Sequence, residues 1–394
     1  MKFAHLADCH VGGWREEKLN KLSVEHFTRA VDICLDENVG FVLISGDLFD
    51  VAMPGYDIIN EVAKQLARLK EDDVGVYIIP GSHDYSVTGK TALNILESAD
   101  LCINVCKLED NKLHFVEDKT GVKIAGMPGK RGGLEKEDYK RLYKDNLEKE
   151  DGFKIFMFHT ALEEFKPREL EDVGCTSYLD LPKNFSYYAG GHVHYLFDVV
   201  KEKYGKIVYP GPLLPNNFKE IEELKRGSFC IVDDNSNVKR IFLELKKGVL
   251  SFTVSGSSAS EINAKIERLI EENDFTDKVV TLRIVGELEE GKISDVKTRD
   301  FVKKIEEKGA FYVLKNTNRL EMKVFEEIKL QGEVKDIEKE LIKEHLGQFK
   351  IDDEEMLTEM LIELFSQEKL DGETNAGFET RITNAALNSL NLKI

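Results

Sequence analysis

Short apolar segments that end in aspartate or histidine recur through the first half of this sequence, and they limit the folds it can adopt. The first segment begins at Lys2 and ends at Asp8 and His10. Because residues i and i+2 of an extended chain point to the same side, these two side chains can reach one point beyond the strand. Divalent metal ions accept such a pair of oxygen and nitrogen ligands. Taken alone, such a pair is more often a loop aspartate beside a surface histidine than a metal site.

Helical and strand-like segments alternate after this first strand. Amphipathic spacing predicts helices over residues 18–38 and 56–71, and continuous apolar runs predict buried strands at 41–45 and 74–80. Alternating strands and helices indicate a parallel sheet, which binds ligands at the carboxyl ends of its strands. Shorter strand-like runs follow, and a helix is predicted over 134–150. We therefore expect an α/β fold in which two mixed sheets pack face to face with helices outside, giving four layers.

The rest of the chain has a different composition. Residues 249–330 contain strand-like and helix-like runs without Asp and His clusters, and they predict a small α+β domain. Residues 331–394 are predicted to be helical, with Met356 and Met360 among the apolar residues at helical spacing. This tail has 7 Lys and Arg residues against 15 Asp and Glu residues. It is either a packed subdomain with an acidic, solvated face or a pair of helices that docks a partner.

The overall charge restricts how the chain can bind nucleic acid. Its 394 residues carry a net charge of −18, from 55 basic and 73 acidic residues. A protein that coats nucleic acid through charge alone is thereby excluded, so any contact with DNA has to be local. The six cysteines include no Cys-x-x-Cys pair, which argues against a zinc site or a disulfide framework. The sequence has no long apolar run and no secretory leader, which predicts a cytoplasmic protein without a membrane segment.

Five clusters of polar residues stand at the ends of apolar strands, an arrangement that chance rarely produces. Carboxylates and imidazoles without thiolates suit manganese, iron and similar ions. A carboxylate shared by two ions holds them roughly 3.5–4 Å apart, as two-metal hydrolases require. The clusters therefore predict a metal centre rather than unrelated core histidines. They are Asp8-x-His10, Gly46-Asp47-Leu-Phe-Asp50, Gly81-Ser82-His83-Asp84, Phe158-His159 and Gly191-His192-x-His194.

This set of motifs, which covers about residues 1–215, resembles the calcineurin-like metallophosphoesterases. Together with the following domain and the acidic tail, it is similar to the SbcD, or Mre-eleven, family of DNA repair nucleases. The resemblance implies a four-layer metallophosphoesterase sandwich over residues 1–245, a capping domain over 249–330 and a helical tail over 331–394. It also implies metal-dependent exonuclease and endonuclease activity on DNA in double-strand-break processing. The expected assembly is a homodimer whose tail binds a coiled-coil ATPase of the SbcC or Rad-fifty type.

The resemblance further implies a role for each matching residue. Two divalent ions are expected, with manganese as the favoured metal. His83 would stabilise the transition state or protonate the leaving oxygen, and Asp84 would orient His83. The first ion would be held by Asp8, His10 and His194, and the second by His159 and His192. The carboxylate of Asp47 would bridge the two ions.

One position departs from the family pattern. The family has Gly-Asn-His at the third cluster, and its asparagine oxygen completes the shell of the second ion. This chain has Ser82 instead. Because a serine hydroxyl is shorter and is a poorer neutral ligand, we expect the second ion to bind more weakly here. Asp50, three residues after Asp47, is either a residue that supports the ligands or a turn residue, and we favour the first.

Three residues near the expected mouth of the site are candidates for DNA contact. Lys130 and Arg131 lie in the segment Pro-Gly-Lys-Arg-Gly-Gly, where they can reach a DNA backbone or remain a solvated loop. Trp14 follows two glycines and can stack on a base, although packing within the protein is the stronger expectation.

Two other functions are compatible with the same residues. The chain could be another calcineurin-like phosphodiesterase or phosphomonoesterase that acts on small substrates, although such an enzyme has little need of a capping domain or an acidic tail. It could also be a scaffold that holds DNA ends through a metal site weakened by Ser82. Retention of every other ligand argues against this second alternative.

Overall fold

A computed structural model describes residues 1–86, 89–166, 174–289, 292–323, 354–367, 369–370 and 375–390. The chain divides into two compact units, Met1–Lys323 and Val324–Ile394. Among the described helices, none combines the length and the apolar composition needed to cross a membrane.

Within the described residues, β-strands outnumber α-helices. The strands are β1 Lys2–Leu6, β2 Phe41–Ser45, β3 Gly75–Ile79, β4 Ile103–Asn104, β5 Leu108–Glu109, β6 Lys112–Leu113, β7 Val116–Glu117, β8 Lys123–Met127, β9 Lys154–His159, β10 Ala161–Leu162, β11 Cys175–Thr176, β12 Tyr187–Gly191, β13 Phe197–Lys201, β14 Tyr204–Tyr209, β15 Arg226–Asp233, β16 Val238–Glu244, β17 Val249–Ser255, β18 Val279–Leu288 and β19 Tyr312–Met322. The α-helices are α1 Glu17–Asp36, α2 Tyr56–Glu71, α3 Ala92–Ser98, α4 Lys136–Arg141, α5 Asp145–Glu148, α6 Phe218–Leu224, α7 Ala259–Glu272, α8 Thr298–Glu307, α9 Glu354–Phe365 and α10 Asn375–Ser389.

Two six-stranded mixed sheets form the first part of the chain. The first has the order β16-β15-β1-β2-β3-β4, and the second has the order β13-β14-β12-β9-β8-β7. In the first sheet β1, β2, β3 and β4 run parallel, whereas β15 is antiparallel to both of its neighbours. In the second sheet β8, β9, β12 and β14 run parallel. Parallel strands that are covered on both faces explain the continuous apolar runs of the sequence.

The two sheets pack against each other through a shared apolar core. Phe3 of β1 stacks on Phe41 of β2, and Tyr187 of β12 contacts Phe3 edge to face. Helices α1, α2 and α3 cover the other face of the first sheet, and α4 and α5 cover the other face of the second. The predicted four-layer sandwich is therefore confirmed.

A smaller module follows the two sheets. Strands β17, β18 and β19 form a parallel three-stranded sheet, and α7 and α8 connect them. This β17–β19 module has its own apolar core, which includes Ile262 and Phe301. It also packs on the first part of the chain, because Val279 belongs to one buried cluster with Leu19 and Ile221.

The predicted helix over 134–150 is interrupted in the structure. Helices α4 and α5 are separated by Leu142, whose backbone is extended with φ −60° and ψ 124°. The break has a tertiary cause: the Tyr143 N–H donates to the carbonyl of Asn111, 2.8 Å away, and the chain forms a bridge with Lys112 of β6. Helical spacing alone does not reveal this contact with a distant hairpin.

The second unit is helical where it is described. Helices α9 and α10 fall within the predicted tail, and Met356 and Phe365 of α9 are 61% and 65% exposed. The other residues of the predicted tail, 331–353, 368, 371–374 and 391–394, lie outside the described residues.

We expect the inter-sheet core to control the stability of the first unit. Ile155 of β9 is fully buried between the sheets. Ile155→Ala leaves a cavity and should lower the free energy of unfolding by about 2–5 kcal/mol. Urea unfolding of the full chain in chelator measures this change. The matched control is Val200→Ala, because Val200 is 68% exposed on β13 and its truncation should change stability by less than about 0.5 kcal/mol. Equal effects of the two substitutions would contradict this packing between the sheets.

Candidate metal centre

The carboxyl ends of strands from both sheets converge on one site. The segments after β1 and β2 run side by side, since the Asp8 N–H donates to Gly46 and the His10 N–H donates to Asp47, at 3.1 and 3.0 Å. Strands β9 and β12 of the second sheet end beside each other at His159 and Gly191. The predicted clusters are thus brought together at the junction of the two sheets.

Several residues of the site have left-handed backbone conformations. The φ angles are 49° at Asp8, 41° at His10, 52° at Asp47 and 90° at His192. Non-glycine residues rarely adopt positive φ, because the Cβ atom then crowds the backbone. Such strain persists where the surrounding structure enforces it, and it is concentrated at functional sites. Here the left-handed residues turn the chain sharply at the strand ends.

Two glycines leave space that the site side chains fill. Gly46 has φ 87°, and a Cβ atom at this position would overlap the ring of His159. A Cβ atom at Gly81 would overlap the carboxylate of Asp47. The glycines of the second and third clusters are therefore required for the close approach of these side chains.

Asp8, His10 and His194 form one group of potential ligands. The Nε2 atoms of His10 and His194 are 3.2 Å apart, and Nε2 of His194 is 3.9 Å from Oδ1 of Asp8. Oδ2 of Asp8 is buried, and it has no hydrogen-bond partner among the described residues. A buried carboxylate oxygen without a partner is costly, and a cation would satisfy it.

Asp47 and His159 form a second group with Asp8. Nε2 of His159 is 3.1 Å from Oδ2 of Asp47, and Nδ1 of His159 donates to the carbonyl of Ser45 at 2.8 Å. The same Asp47 oxygen is 3.8 Å from Nε2 of His10. Asp47 therefore reaches toward both groups, which is the position expected of a bridging carboxylate.

His192 lies at the edge of the second group. Its ring is 5.1 Å from the ring of His159, measured between centroids, and its backbone N–H donates to Oδ1 of Asp8 at 2.8 Å. Its ring nitrogens belong to none of the three close groups of ligand atoms among the described residues, the third of which is His10, Asp50 and His83. The structure thus places His192 beside the expected second ion but sets its side chain farther from the other ligands.

Burial and charge together set the protonation of the site. Burial alone would lower the pKa of His159, but the adjacent Asp47 carboxylate raises it to about 10. Burial likewise opposes protonation of His194, while its hydrogen bond to Glu220 raises the pKa to about 9. His159 in turn holds the pKa of Asp47 well below its usual range, against the effect of burial. In His192, burial and the neighbouring His159 lower the pKa to about 3. The carboxylates therefore stabilise positive charge at two positions, His159 and His194. When no metal ion is bound, protons on these imidazoles supply that charge.

His83 faces outward from this buried centre. Its side chain is 43% exposed, and its ring lies 4.8 Å from that of His10, between centroids, at an interplanar angle of 88°. Nδ1 of His83 donates to the backbone carbonyl of Asp50 at 2.7 Å. The carboxylate of Asp50 accepts from Nδ1 of His10 at 3.1 Å and lies 3.6 Å from Nδ1 of His83. Asp50 therefore supports both imidazoles, as favoured from the sequence.

Asp84 has a different environment from the one expected. It is fully buried, and its carboxylate accepts backbone N–H groups of Leu48, Phe49 and Gly81 at 3.1–3.2 Å. Burial and the nearby Asp47 raise its pKa to about 6. These contacts fix the loops after β2 and β3 to each other, so Asp50, not Asp84, is the carboxylate beside the His83 ring.

Two residues of the site carried no signal in the sequence. Nδ1 of His194 donates to Glu220 at 2.9 Å, and the side-chain amide of Asn216 donates to Asp50 at 3.2 Å. Both residues come from the segment at the start of α6, outside every Asp and His cluster. Only the tertiary structure brings this segment to the ligands.

The structure also separates the candidates for DNA contact. Trp14 is half-buried and its indole N–H donates to Pro215 at 3.1 Å, so it packs within the protein. Lys130 is paired with Asp138 at 2.6 Å. Arg131 is exposed and donates through Nε to the carbonyl of Ser82 at 3.3 Å, which places its guanidinium next to the loop that carries His83.

The donor set fits divalent metal ions. It contains carboxylates and imidazoles, a combination that suits manganese and related ions, and the orphaned oxygen of Asp8 marks a place for a cation. Three of the four expected histidine ligands also donate their other ring nitrogen: His10 to Asp50, His194 to Glu220 and His159 to Ser45. Such outer hydrogen bonds fix the tautomer and orientation of metal-binding histidines. Ser82 lies beside this centre, with Oγ 3.5 Å from Oδ2 of Asp47.

Comparison with known proteins agrees with this geometry. Residues 1–196 match the family model described as calcineurin-like phosphoesterase. The DNA double-strand break repair protein Mre11 of Thermoplasma acidophilum is 28% identical over 299 residues, covering 72% of this chain and 77% of that protein. Its counterpart from Archaeoglobus fulgidus is 29% identical over 247 residues, covering 57% of this chain and only 53% of that protein. A solved dimetal phosphatase from Danio rerio, 12% identical, covers 63% of this chain and 95% of its own, with a TM-score of 0.38. Residues 1–196 therefore form a calcineurin-like phosphoesterase domain, and the chain is similar to the Mre11 DNA repair proteins.

Proposed function

We propose that the chain is a cytoplasmic, two-metal DNA nuclease that hydrolyses phosphodiester bonds at double-strand breaks. The observation that carries this proposal is the half-exposed His83 at the mouth of a buried cluster of metal-type ligands. The similarity to the Mre11 double-strand break repair proteins supports DNA as the substrate. We propose both exonuclease and endonuclease action, as the family resemblance of the motifs implies.

Two divalent ions, with manganese as the favoured metal, would be held by residues of both groups. Asp8, His10 and His194 would hold one, His159 and His192 would hold the other, and Asp47 would contact both. When bound, such ions supply positive charge that polarises a phosphoryl oxygen and activates water. The protein contributes the fixed geometry of the ligands, which the backbone contacts of β1, β2, β9 and β12 enforce.

His83 is placed to move a proton at the reacting phosphate. Its Nδ1–H is fixed by the carbonyl of Asp50, so Nε2 is the nitrogen left for substrate. A protonated Nε2 can donate to the leaving oxygen or to charge that develops in the transition state. One carboxylate oxygen of Asp50 lies 3.6 Å from the same Nδ1 atom.

Arg131 is the residue that we assign to the DNA backbone. Its guanidinium is exposed and held next to the Ser82 carbonyl, one residue from His83. Planar guanidinium groups bind phosphate oxygens through paired hydrogen bonds. Lys130 is a weaker candidate because Asp138 already pairs with it.

Two other functions are also compatible with features of the site. A phosphodiesterase for small substrates would use the same metal ligands and His83 without Arg131. A scaffold that binds DNA ends without cutting them is favoured by Ser82, whose hydroxyl approaches Asp47 only to 3.5 Å.

The first prediction from the proposed function concerns His83 and DNA cutting. The full chain should digest end-labelled linear duplex DNA with Mn²⁺ and not in chelator. His83→Ala should lower the rate by about 10²–10⁴-fold, since it removes the proton donor. The matched control is His114→Ala, because His114 is an exposed histidine outside the site; its rate should equal that of the unmodified chain.

The outcome of this digestion also separates the alternatives. Cutting of a cyclic nucleotide or an aryl phosphodiester without cutting of DNA would identify a small-substrate enzyme. DNA binding without hydrolysis of any phosphodiester, with Mn²⁺ present, would identify a scaffold. Equal digestion by His83→Ala and the unmodified chain would contradict the role of His83.

The second prediction concerns Ser82. Ser82→Asn supplies an amide oxygen beside Asp47 and should tighten the weaker of two Mn²⁺ binding events, because that oxygen is a better neutral ligand than a hydroxyl. Calorimetric titration of metal-free protein measures both events. Ser251→Asn, on an exposed position of β17, is the control and should leave both unchanged. Equal affinity of Ser82→Asn and the unmodified chain would contradict the expected deficit.

The third prediction concerns the partner. We infer that the chain acts as a homodimer and that residues 331–394 bind a coiled-coil ATPase of the SbcC or Rad-fifty type. Exposed apolar residues on α9, such as Met356 and Phe365, support helix-in-groove docking. Removal of residues 331–394 should abolish capture of the purified ATPase while Mn²⁺ binding persists. Undiminished capture would place the ATPase site elsewhere on the chain.

A further inference from the structure

Glu220 occupies a central position in the network around the metal ligands. One carboxylate oxygen accepts from Nδ1 of His194 at 2.9 Å, and the other accepts from the backbone N–H of Asn216 at 2.7 Å. Its side chain is 17% exposed. Asn216 in turn donates to Asp50, the carboxylate that supports His10 and His83. The short segment that leads into α6 therefore supports several imidazoles of the site.

The helix that carries Glu220 is held from its other side by the β17–β19 module. Arg283 of β18 forms a paired contact with Glu222 of α6, with an Nη2–Oε2 distance of 2.5 Å and an Nε–Oε2 distance of 3.2 Å. Both side chains are mostly buried, 20% and 16% exposed. The Arg283 guanidinium also lies over the ring of Phe218, 5.0 Å from its centroid. A planar guanidinium that contacts both a carboxylate and a ring fixes orientation as well as distance.

Apolar packing adds a third contact between this module and the helix. Ile221 of α6 is fully buried in one cluster with Val279, the first residue of β18. Residues 220, 221 and 222 thus face three different surroundings: the metal ligands, the apolar cluster and Arg283. A shift of β18 along or around α6 would move all three side chains together.

We propose that Glu220 is a positioning residue for His194. We also propose that the contact of Arg283 with α6 couples the β17–β19 module to the metal position formed by Asp8, His10 and His194. The proposal rests on the proposed metal centre and extends it by naming what controls one of its ligands. The connection runs from Arg283 to Glu222 by a side-chain contact, along the backbone of α6 to Glu220, and from Glu220 to His194 by a hydrogen bond. Movement of the module is thereby transmitted to the metal ligand.

The physical basis is the freedom of an imidazole ring. A histidine ring rotates broadly about its second side-chain torsion, and a hydrogen bond at one nitrogen fixes where the other nitrogen points. In His194 the bond to Glu220 directs Nε2 toward His10 and Asp8. Loss of such an outer partner costs about 10–100-fold in metal affinity. Coupling through intermediate residues is weaker, about 2–30-fold.

The test measures Mn²⁺ binding to the metal-free full chain by calorimetry. Glu220→Ala should weaken one of two binding events by about 10–100-fold. Glu220→Gln should restore most of that loss, because its amide oxygen can still accept the His194 N–H. Arg283→Met should weaken the same event by about 2–30-fold. The absorption spectrum of bound Co²⁺ should change in Glu220→Ala, which reports an altered ligand arrangement.

Matched variants distinguish coupling from a general loss of stability. Lys304→Met removes an ion pair with Glu267 inside the β17–β19 module, at 2.5 Å, without a contact to α6. Both Lys304→Met and Arg283→Met should lower Tm in chelator, but only Arg283→Met should also reduce the additional rise in Tm that Mn²⁺ produces. The double variant Glu222→Gln/Arg283→Met should bind Mn²⁺ as weakly as Arg283→Met alone, since both changes break one contact.

The possible results separate this inference from the proposed function. Unchanged Mn²⁺ affinity in Glu220→Ala would overturn the positioning role. If Glu220→Ala binds Mn²⁺ weakly but Arg283→Met binds it as the unmodified chain does, the proposed coupling between the β17–β19 module and the metal position would be overturned. Absence of Mn²⁺ binding by the unmodified chain would reject the metal centre itself, and the inference with it.

Discussion

Two buried carboxylates, those of Asp8 and Asp47, set the main electrostatic constraint on this molecule. Within the described part of the chain neither is paired with a lysine or an arginine, and one oxygen of Asp8 has no partner. Burial of unpaired charge is strongly unfavourable, so positive charge has to come from the imidazoles or from bound ions. The raised pKa values of His159 and His194, about 10 and 9, are the response of the protein alone. The same unpaired negative charge would attract a divalent ion to this site.

The architecture explains how so much negative charge can be held in one place. Parallel strands of two sheets end side by side, and left-handed residues turn the chain after β1, β2 and β12. These conformations raise the free energy of the folded chain, and burial of the large apolar core between the sheets, away from the site, offsets that increase. Asp84 contributes by bonding the loops after β2 and β3 through backbone N–H groups. The ligands therefore sit on rigid elements, while His83 and Arg131 face the solvent.

The sequence was sufficient for the sheets, the main helices and the residues that end each strand. Continuous apolar runs and helical periodicity are local signals, and α2 is found over the predicted residues 56–71. The hydrogen bonds that orient the expected metal ligands could not be predicted from such local signals. Glu220 meets His194 across 26 residues and Asn216 meets Asp50 across 166, and neither spacing has a periodic signature. The break between α4 and α5 and the position of Asp84 also depend on contacts between distant segments.

The charge balance of the chain imposes an order on the proposed reaction. At −18, and with Asp8, Asp47, Asp50 and Glu220 around the site, the protein repels a phosphate backbone. Arg131 offers one local exception at the mouth, next to His83. A phosphodiester can therefore approach His83 closely only after the carboxylates have been neutralised by cations. If His194 holds one of these cations, as proposed, then the hydrogen bond from its ring to Glu220 would affect substrate binding as well as metal binding.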